Sequence, residues 1–263
     1  MKQLRRYTTR VRLWVLRAAQ WLGISQSEAA VTQAATRYWS GEPGGQFRRD
    51  SHWQGTLEEA DWLELGRQHL ELFHSFAGLL GVERPVQRVV EWGCGGGANA
   101  VHFAQEAEAF VGVDVSQASL DECARQLERA GLGERFQPVL IDLEHPERAT
   151  AQIETCDLYL CTYVFELIPG PEYAERLLAI ARDLLRPGGA AVVQVKYATN
   201  NWRTRPHNLA YRLNAANTTT FRIEAFWQMA EAAGLEPKAV TLVPQQPLIN
   251  DERYAYFLLV RPR

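Results

Sequence analysis

The chain has 263 residues, 46% of them hydrophobic and 10% aromatic, with a formal net charge of −3. That is enough apolar material for one large core plus an extension, and too little positive charge for a generic nucleic-acid binder, so DNA is excluded as a partner. The four cysteines, Cys94, Cys123, Cys156 and Cys161, form no C-x-x-C pair, which excludes a disulfide scaffold and fits a reducing, cytoplasmic setting.

Residues 1–85 read as an N-terminal helical extension or cap. The segment 1–27 carries Lys2, Arg5, Arg6, Arg10, Arg12 and Arg17 and has no acidic residue before Glu28. Val11, Trp14, Val15, Ala18 and Leu22 make a helical stripe, with Leu13 and Leu16 off it. We read this as a packing helix whose arginines face water; the alternative is a basic helix that touches a membrane surface or an RNA. It lacks the layout of a signal peptide, and no apolar run reaches the length of a membrane span. A second helix over 57–80 places Leu63, Leu70, Phe73 and Leu80 at helical spacing as core.

From residue 86 onward strand and helix patterns alternate, which predicts a doubly wound α/β sheet. Strands are expected near 87–91, 110–114, 136–141, 157–162, 190–196, 238–243 and 254–260. Helices are expected near 98–107, 117–130, 171–185 and 221–233. The first strand runs through Val89, Val90 and Glu91 into Gly93-Cys94-Gly95-Gly96-Gly97, and the second ends in Asp114. A glycine turn lets a ligand approach backbone amides, and a carboxylate at the next strand tip can accept hydrogen bonds from a ribose diol. Gly93 to Ala98 also satisfies a loose dinucleotide fingerprint, so an NAD-dependent oxidoreductase is a competing reading. Glu91 argues against it, because a carboxylate there repels a pyrophosphate on the following helix N-terminus and suits a cationic ligand.

These landmarks, with Asp142-Leu143 at the third strand tip and Leu184 to Gly189 before the fifth, resemble the class I S-adenosylmethionine-dependent methyltransferases over about residues 86–260. The resemblance implies a seven-stranded, mostly parallel, Rossmann-like sheet of order 3-2-1-4-5-7-6 with an antiparallel last strand. Pro138 fits that order, since it makes the third strand an edge, where a proline costs no ladder bond. S-adenosylmethionine is then the expected cofactor. The loop at Gly93, Gly95 and Gly97 would pack on its methionine part, near Glu91. Asp114 would take the ribose hydroxyls, Asp142 the adenine amino group, and Leu143 the ring face. Thr162, at the end of the fourth strand, would join the cofactor site, and Arg67 would pair with the cofactor carboxylate.

The methyl acceptor is harder to read, because transfer from a sulfonium needs positioning more than any fixed side chain. Tyr163 and His207 are the candidate catalytic residues. Glu166-Leu167 stands where many small-molecule relatives read Glu-His, and no Asp-Pro-Pro-aromatic or Pro-Cys motif occurs. His69, His74, His102 and His145 show no metal-ligand spacing, so no metal is expected. Residues 196–220 are too long for a plain connection and should cap the acceptor site. No Asp or Glu lies between Asp183 and Glu224, so an anionic or sugar-like acceptor held by Arg203, Arg205 or Arg212 and stacked on Trp202 or Tyr211 is expected. His52, beside Trp53, is a weaker candidate to close the site. The expected activity is methyl transfer to an oxygen or nitrogen of a small polar metabolite by the domain 86–263. An RNA or lipid acceptor, and a non-catalytic cofactor-binding module, are the alternatives.

Overall fold

Seven strands line up side by side: β1 Arg88–Trp92, β2 Ala109–Asp114, β3 Phe136–Leu140, β4 Cys156–Cys161, β5 Leu185–Lys196, β6 Glu236–Gln246 and β7 Asp251–Val260. In this computed structural model they form one sheet of order β3-β2-β1-β4-β5-β7-β6. The structure describes residues 24–39, 57–80, 86–211 and 215–263, with residues 15, 16 and 19. Of the expected N-terminal basic helix, residues 1–14, Arg17, Ala18 and Leu22 lie outside the described residues, as do His52, Trp53 and Arg212. Strands β3, β2, β1, β4 and β5 pair in parallel, while β7 pairs antiparallel to both β5 and β6. The expected order and antiparallel finish are both present. Pro138 faces Gly112 across the β2–β3 pairing, on the outermost strand, where its missing N–H breaks nothing.

The sheet is covered on both faces, so its inner strands read as nearly continuous apolar runs. In β4, Leu158 and Leu160 point to one layer, while Tyr159 and Cys161 point to the other. One layer holds helices α5 Pro171–Leu184 and α6 Ile223–Ala232; the other holds α2 Glu59–Leu80, α3 Ala100–Glu106 and α4 Gln117–Arg129. Ser116 caps α4, its hydroxyl accepting from the Ser119 amide at 3.3 Å. Among the described residues, no helix is long and apolar enough to cross a membrane.

Two contacts fix the N-terminal helices on this sheet. Helix α1, Glu28–Trp39, sends the Glu28 carboxylate to the N-terminus of α5, where it accepts from the amides of Glu172 at 3.0 Å and Tyr173 at 3.2 Å. These amides have no partner within their own helix, and the anion faces the positive end of the dipole. Helix α2 comes so close to the glycine loop that a Cβ on Gly66 would lie 1.9 Å from the Ala98 carbonyl oxygen.

That approach sets the rotation of α2 and corrects the expected core stripe. The buried side chains are Trp62, Leu65, His69 and Phe76; Leu70 is partly buried and packs against the core, as expected, while Leu63 sits on the flank. Phe73 packs near the stripe, its ring 6.0 Å from that of Phe103. The side chain of Leu80 lies outside the described residues. Periodicity alone leaves a helix free to turn by a residue; a backbone contact does not. Gly66→Ala should therefore destabilise the protein by about 1–3 kcal/mol through overpacking, read as a lowered thermal midpoint. An exposed control such as Gly78→Ala, whose Cβ would meet nothing within 4 Å, should not lower it.

Candidate active site

At the carboxyl ends of β1, β2 and β4 a cavity opens between the glycine loop and the N-terminal helices. Gly95 takes φ +53, and a Cβ there would meet no protein atom within 4 Å, so its missing side chain leaves room on the cavity side. Gly93, at φ +79, is held instead by packing, since a Cβ would fall 2.3 Å from Val164 Cγ2. Gly97 does not line the cavity: its would-be Cβ lies 2.9 Å from Cys123 Sγ, so it seats α4 against the loop.

Strand alternation puts Glu91 on the α3 side of the sheet, 2% exposed. Its Oε1 accepts from Asn99 Nδ2, while Oε2 has no hydrogen-bond partner. Burial pushes its pKa up to about 8, against the pull of the Asn99 bond. Asp114, at the tip of β2, accepts from the amides of Gly95 and Ser116, both at 2.9 Å. Burial raises it to about 6, with the amide bonds opposing. Thr162 is buried after β4, and its hydroxyl accepts from Asn99 Nδ2 at 3.2 Å. Leu143 and Ile141 form the wall beyond Asp114. Asp142 stays exposed outside that wall, where its carboxylate accepts from the Glu144 amide at 2.9 Å. An orphaned buried carboxylate oxygen, an open glycine and a strand-tip acid fit a cationic nucleoside, and a diphosphate would meet two acids.

The far end of the cavity is walled by other elements. Trp62, Leu65 and His69 form one stripe of α2, and Trp39 and Ala35 come from α1. Tyr211 lies in the connection after β5; its hydroxyl receives Trp39 Nε1–H at 2.7 Å and donates to the Leu167 carbonyl at 2.8 Å. Among the described residues that line the cavity there is no lysine or arginine.

Tyr163 lines the cavity with a left-handed φ of +57, uncommon for a bulky residue. Its amide donates to the fully buried Gln194 Oε1, which holds that turn. Its hydroxyl lies 3.3 Å from that of Tyr256 on β7. Tyr256 Oη is 3.1 Å from His69 Nε2, and His69 Nδ1 is 2.8 Å from Asn99 Oδ1. Burial lowers the pKa of His69 to about 4, so it is neutral.

Other residues named from the sequence are placed elsewhere. Arg67 points off the α2 stripe into solvent and pairs with Glu64 and Glu71. His207 is buried within the roof segment, its amide donating to the Asn217 carbonyl at 2.8 Å, and does not line the cavity. Arg203 stacks on the exposed Trp202 at 5.6 Å, and neither Arg203 nor Arg205 lines the cavity. Sequence reasoning missed His69, Asn99, Trp62 and Trp39. The spacing of Trp62, Leu65 and His69 on one helical face was a usable signal for the first of these. Among the described residues, no grouping could hold a metal ion.

Residues 89–189 match a family profile described as a methyltransferase domain. The fatty-acid O-methyltransferase of Mycolicibacterium smegmatis is 33% identical over 138 residues, which cover 51% of this chain and 44% of that protein. The ubiquinone biosynthesis O-methyltransferase of Ralstonia nicotianae is 25% identical over 239 residues, covering 84% of this chain and 91% of that protein. Among solved structures, magnesium protoporphyrin IX methyltransferase from Synechocystis, with bound S-adenosylhomocysteine, superposes with a TM-score of 0.57 at 14% identity, covering 81% of this chain and 92% of that one. That last likeness carries the fold alone.

At pH 7 Glu91 holds its proton in the free site, and an incoming cation lowers its pKa, so S-adenosylmethionine binding should release a proton. Affinity should then rise with pH between 5 and 8.5, first as Asp114 ionises and then as Glu91 does. Calorimetry in buffers of different ionisation enthalpy reads this, and Glu91→Gln should abolish the release. Gly95→Ala should weaken S-adenosylhomocysteine about tenfold, or 1.4 kcal/mol, and cost about 1–2 kcal/mol of stability through its left-handed φ of +53, whereas Gly97→Ala, which adds a clash with Cys123 to the same kind of strain, should lower the thermal midpoint further.

Proposed function

We propose that this chain, a member of the class I S-adenosylmethionine-dependent methyltransferases, moves a methyl group to an oxygen of a small, largely apolar acceptor that carries a hydroxyl or carboxyl group. The observation that carries the reading is the acceptor end of the cavity, with aromatic and aliphatic walls and no cation among its described lining residues. A sugar phosphate would lose its hydration there without gaining a partner. The O-methyltransferase names of the sequence relatives, one acting on fatty acids, support the same choice. The cation site expected at Arg203, Arg205 and Arg212 is set aside in this reading, since the first two lie outside the cavity.

The cofactor supplies an activated methyl on a cationic sulfur. Glu91 would oppose that positive charge, Asp114 would take the ribose hydroxyls, and Gly95 would let the ligand approach the loop. Thr162 lines the same cavity, where its hydroxyl accepts from Asn99. Trp39, Trp62 and Tyr211 would exclude water and hold the acceptor in line, which is most of what such a displacement needs. The four buried free cysteines support a cytoplasmic setting. An acceptor reached through residues 1–27, lipid or RNA, rests on a segment most of which lies outside the described residues.

The test is a screen with labelled S-adenosylmethionine. Simple phenols and medium-chain fatty acids should be methylated, and sugar phosphates should not. Trp39→Ala should raise the acceptor KM about tenfold while leaving S-adenosylhomocysteine affinity unchanged. Turnover confined to sugar phosphates would end this reading.

A further inference from the structure

The cofactor end and the acceptor end of the cavity are joined by an unbroken run of side-chain hydrogen bonds. It passes from Glu91 through Asn99, His69 and Tyr256 to Tyr163. Glu91, Asn99, His69 and Tyr256 are each at most 5% exposed, so bulk water does not break the run. The direction of the run is set at one end. With Glu91 ionised, its Oε1 requires a donor, so the Asn99 amide turns its N–H₂ to Glu91 and Thr162 and its carbonyl to His69. His69 Nδ1 must then carry the hydrogen, which leaves Nε2 as an acceptor. Tyr256 donates to Nε2 and Tyr163 donates to Tyr256, and Tyr163 itself lines the cavity.

We propose that Tyr163, Tyr256 and His69 form a proton relay that removes the hydroxyl proton of the acceptor during methyl transfer, with Asn99 and Glu91 as positioning residues that fix its direction. The inference rests on the reading of oxygen as the methylated atom. The acceptor proton passes to Tyr163 Oη, the Tyr163 proton to Tyr256 Oη, and the Tyr256 proton to His69 Nε2. The oxygen lone pair that makes the new O–C bond is replaced by the pair of the broken O–H bond, and the S–C pair leaves on the sulfur. One positive charge disappears from the sulfonium as one appears on the imidazolium, so the buried site never gains net charge. That balance matters because an extra buried ion is costly. A weakly basic histidine suffices, because an oxygen that has begun to bond the methyl is a far stronger acid than the free hydroxyl. The left-handed turn at Tyr163, braced by Gln194, aims the first member of the relay and accounts for a strained residue in the cavity wall.

The inference separates two acceptor types within one enzyme. A phenol must lose a proton, whereas a fatty acid is already a carboxylate at pH 7.5. In Tyr256→Phe, which keeps ring and volume, kcat on the phenol should fall about 100-fold, while kcat on the fatty acid should stay within threefold. Phenol KM and S-adenosylhomocysteine affinity should hardly move, and the phenol deficit should shrink as pH approaches the phenol's own pKa. Independently of turnover, nitrogen-15 NMR of the native chain at pH 8.5 with S-adenosylhomocysteine should find His69 protonated on Nδ1 and bare on Nε2. An equal loss on both acceptors, no loss on either, or the opposite tautomer would overturn the relay. If the native chain methylated neither acceptor while still binding S-adenosylhomocysteine, the oxygen-transfer reading would fall first and the relay with it.

Discussion

The side chain of Asn99 ties together the parts of this protein that have to act at once. It is 4% exposed and sits at the start of α3, directly after the glycine loop. Its two polar atoms reach Glu91 on β1, Thr162 after β4 and His69 on α2. A buried amide is tolerated only when its donors and its acceptor are matched, and here the partners come from three elements far apart in the chain. The close backbone approach at Gly66 makes the match possible. Were α2 held a side chain's width farther away, His69 would not reach.

Around that point the cavity divides into two chemical halves. The sheet edge contributes buried acids whose carboxylates burial disfavours, so this half is primed for a cation that relieves them. The N-terminal helices and the connection after β5 contribute aromatic and aliphatic walls. This division follows from the architecture. Strand tips in an open α/β sheet converge and present polar turns, whereas the added helices can only reach the site with the faces that they bury. The roof is itself a small core, in which Val31, Ala35 and Tyr38 of α1 pack with Tyr211. The trade is plain in Glu91: an acid kept neutral by burial costs stability whenever it ionises, and it is retained where a positive ligand would arrive.

Much of the sheet was legible in the sequence, because strands and helices announce themselves by short-range periodicity. Pro138 could be read as an edge residue, and Ser116 as a cap, from their own chemistry alone. Of the expected site residues, Glu91, Gly93, Gly95, Asp114, Leu143, Thr162 and Tyr163 line the cavity. All of them sit in or beside a turn at a strand tip, where position in the chain nearly dictates position in space. Gly97, Asp142, Arg67 and His207 do not line it. Arg67 lies on a helix whose rotation periodicity left open by about a residue, His207 lies on an irregular connection with no period to read, and Gly97 and Asp142 show that a place beside a strand tip does not set which way a residue faces. The arginines after β5 were placed at the acceptor by composition, and composition carries no direction.

By itself, then, the sequence determined the strands, the glycine turn and the acids at the strand tips, since each depends on residues within a few positions of one another; the strand order came only through the family resemblance that these residues carry. Tertiary structure alone decided which face of α2 meets the cavity, the apolar character of the acceptor end, and the run of hydrogen bonds from Glu91 to Tyr163. Those depend on partners as far apart as His69 and Asn99, 30 residues, or His69 and Tyr256, 187 residues. No local pattern encodes a hydrogen bond of that span, because it exists only once packing has brought the two chains of atoms within reach.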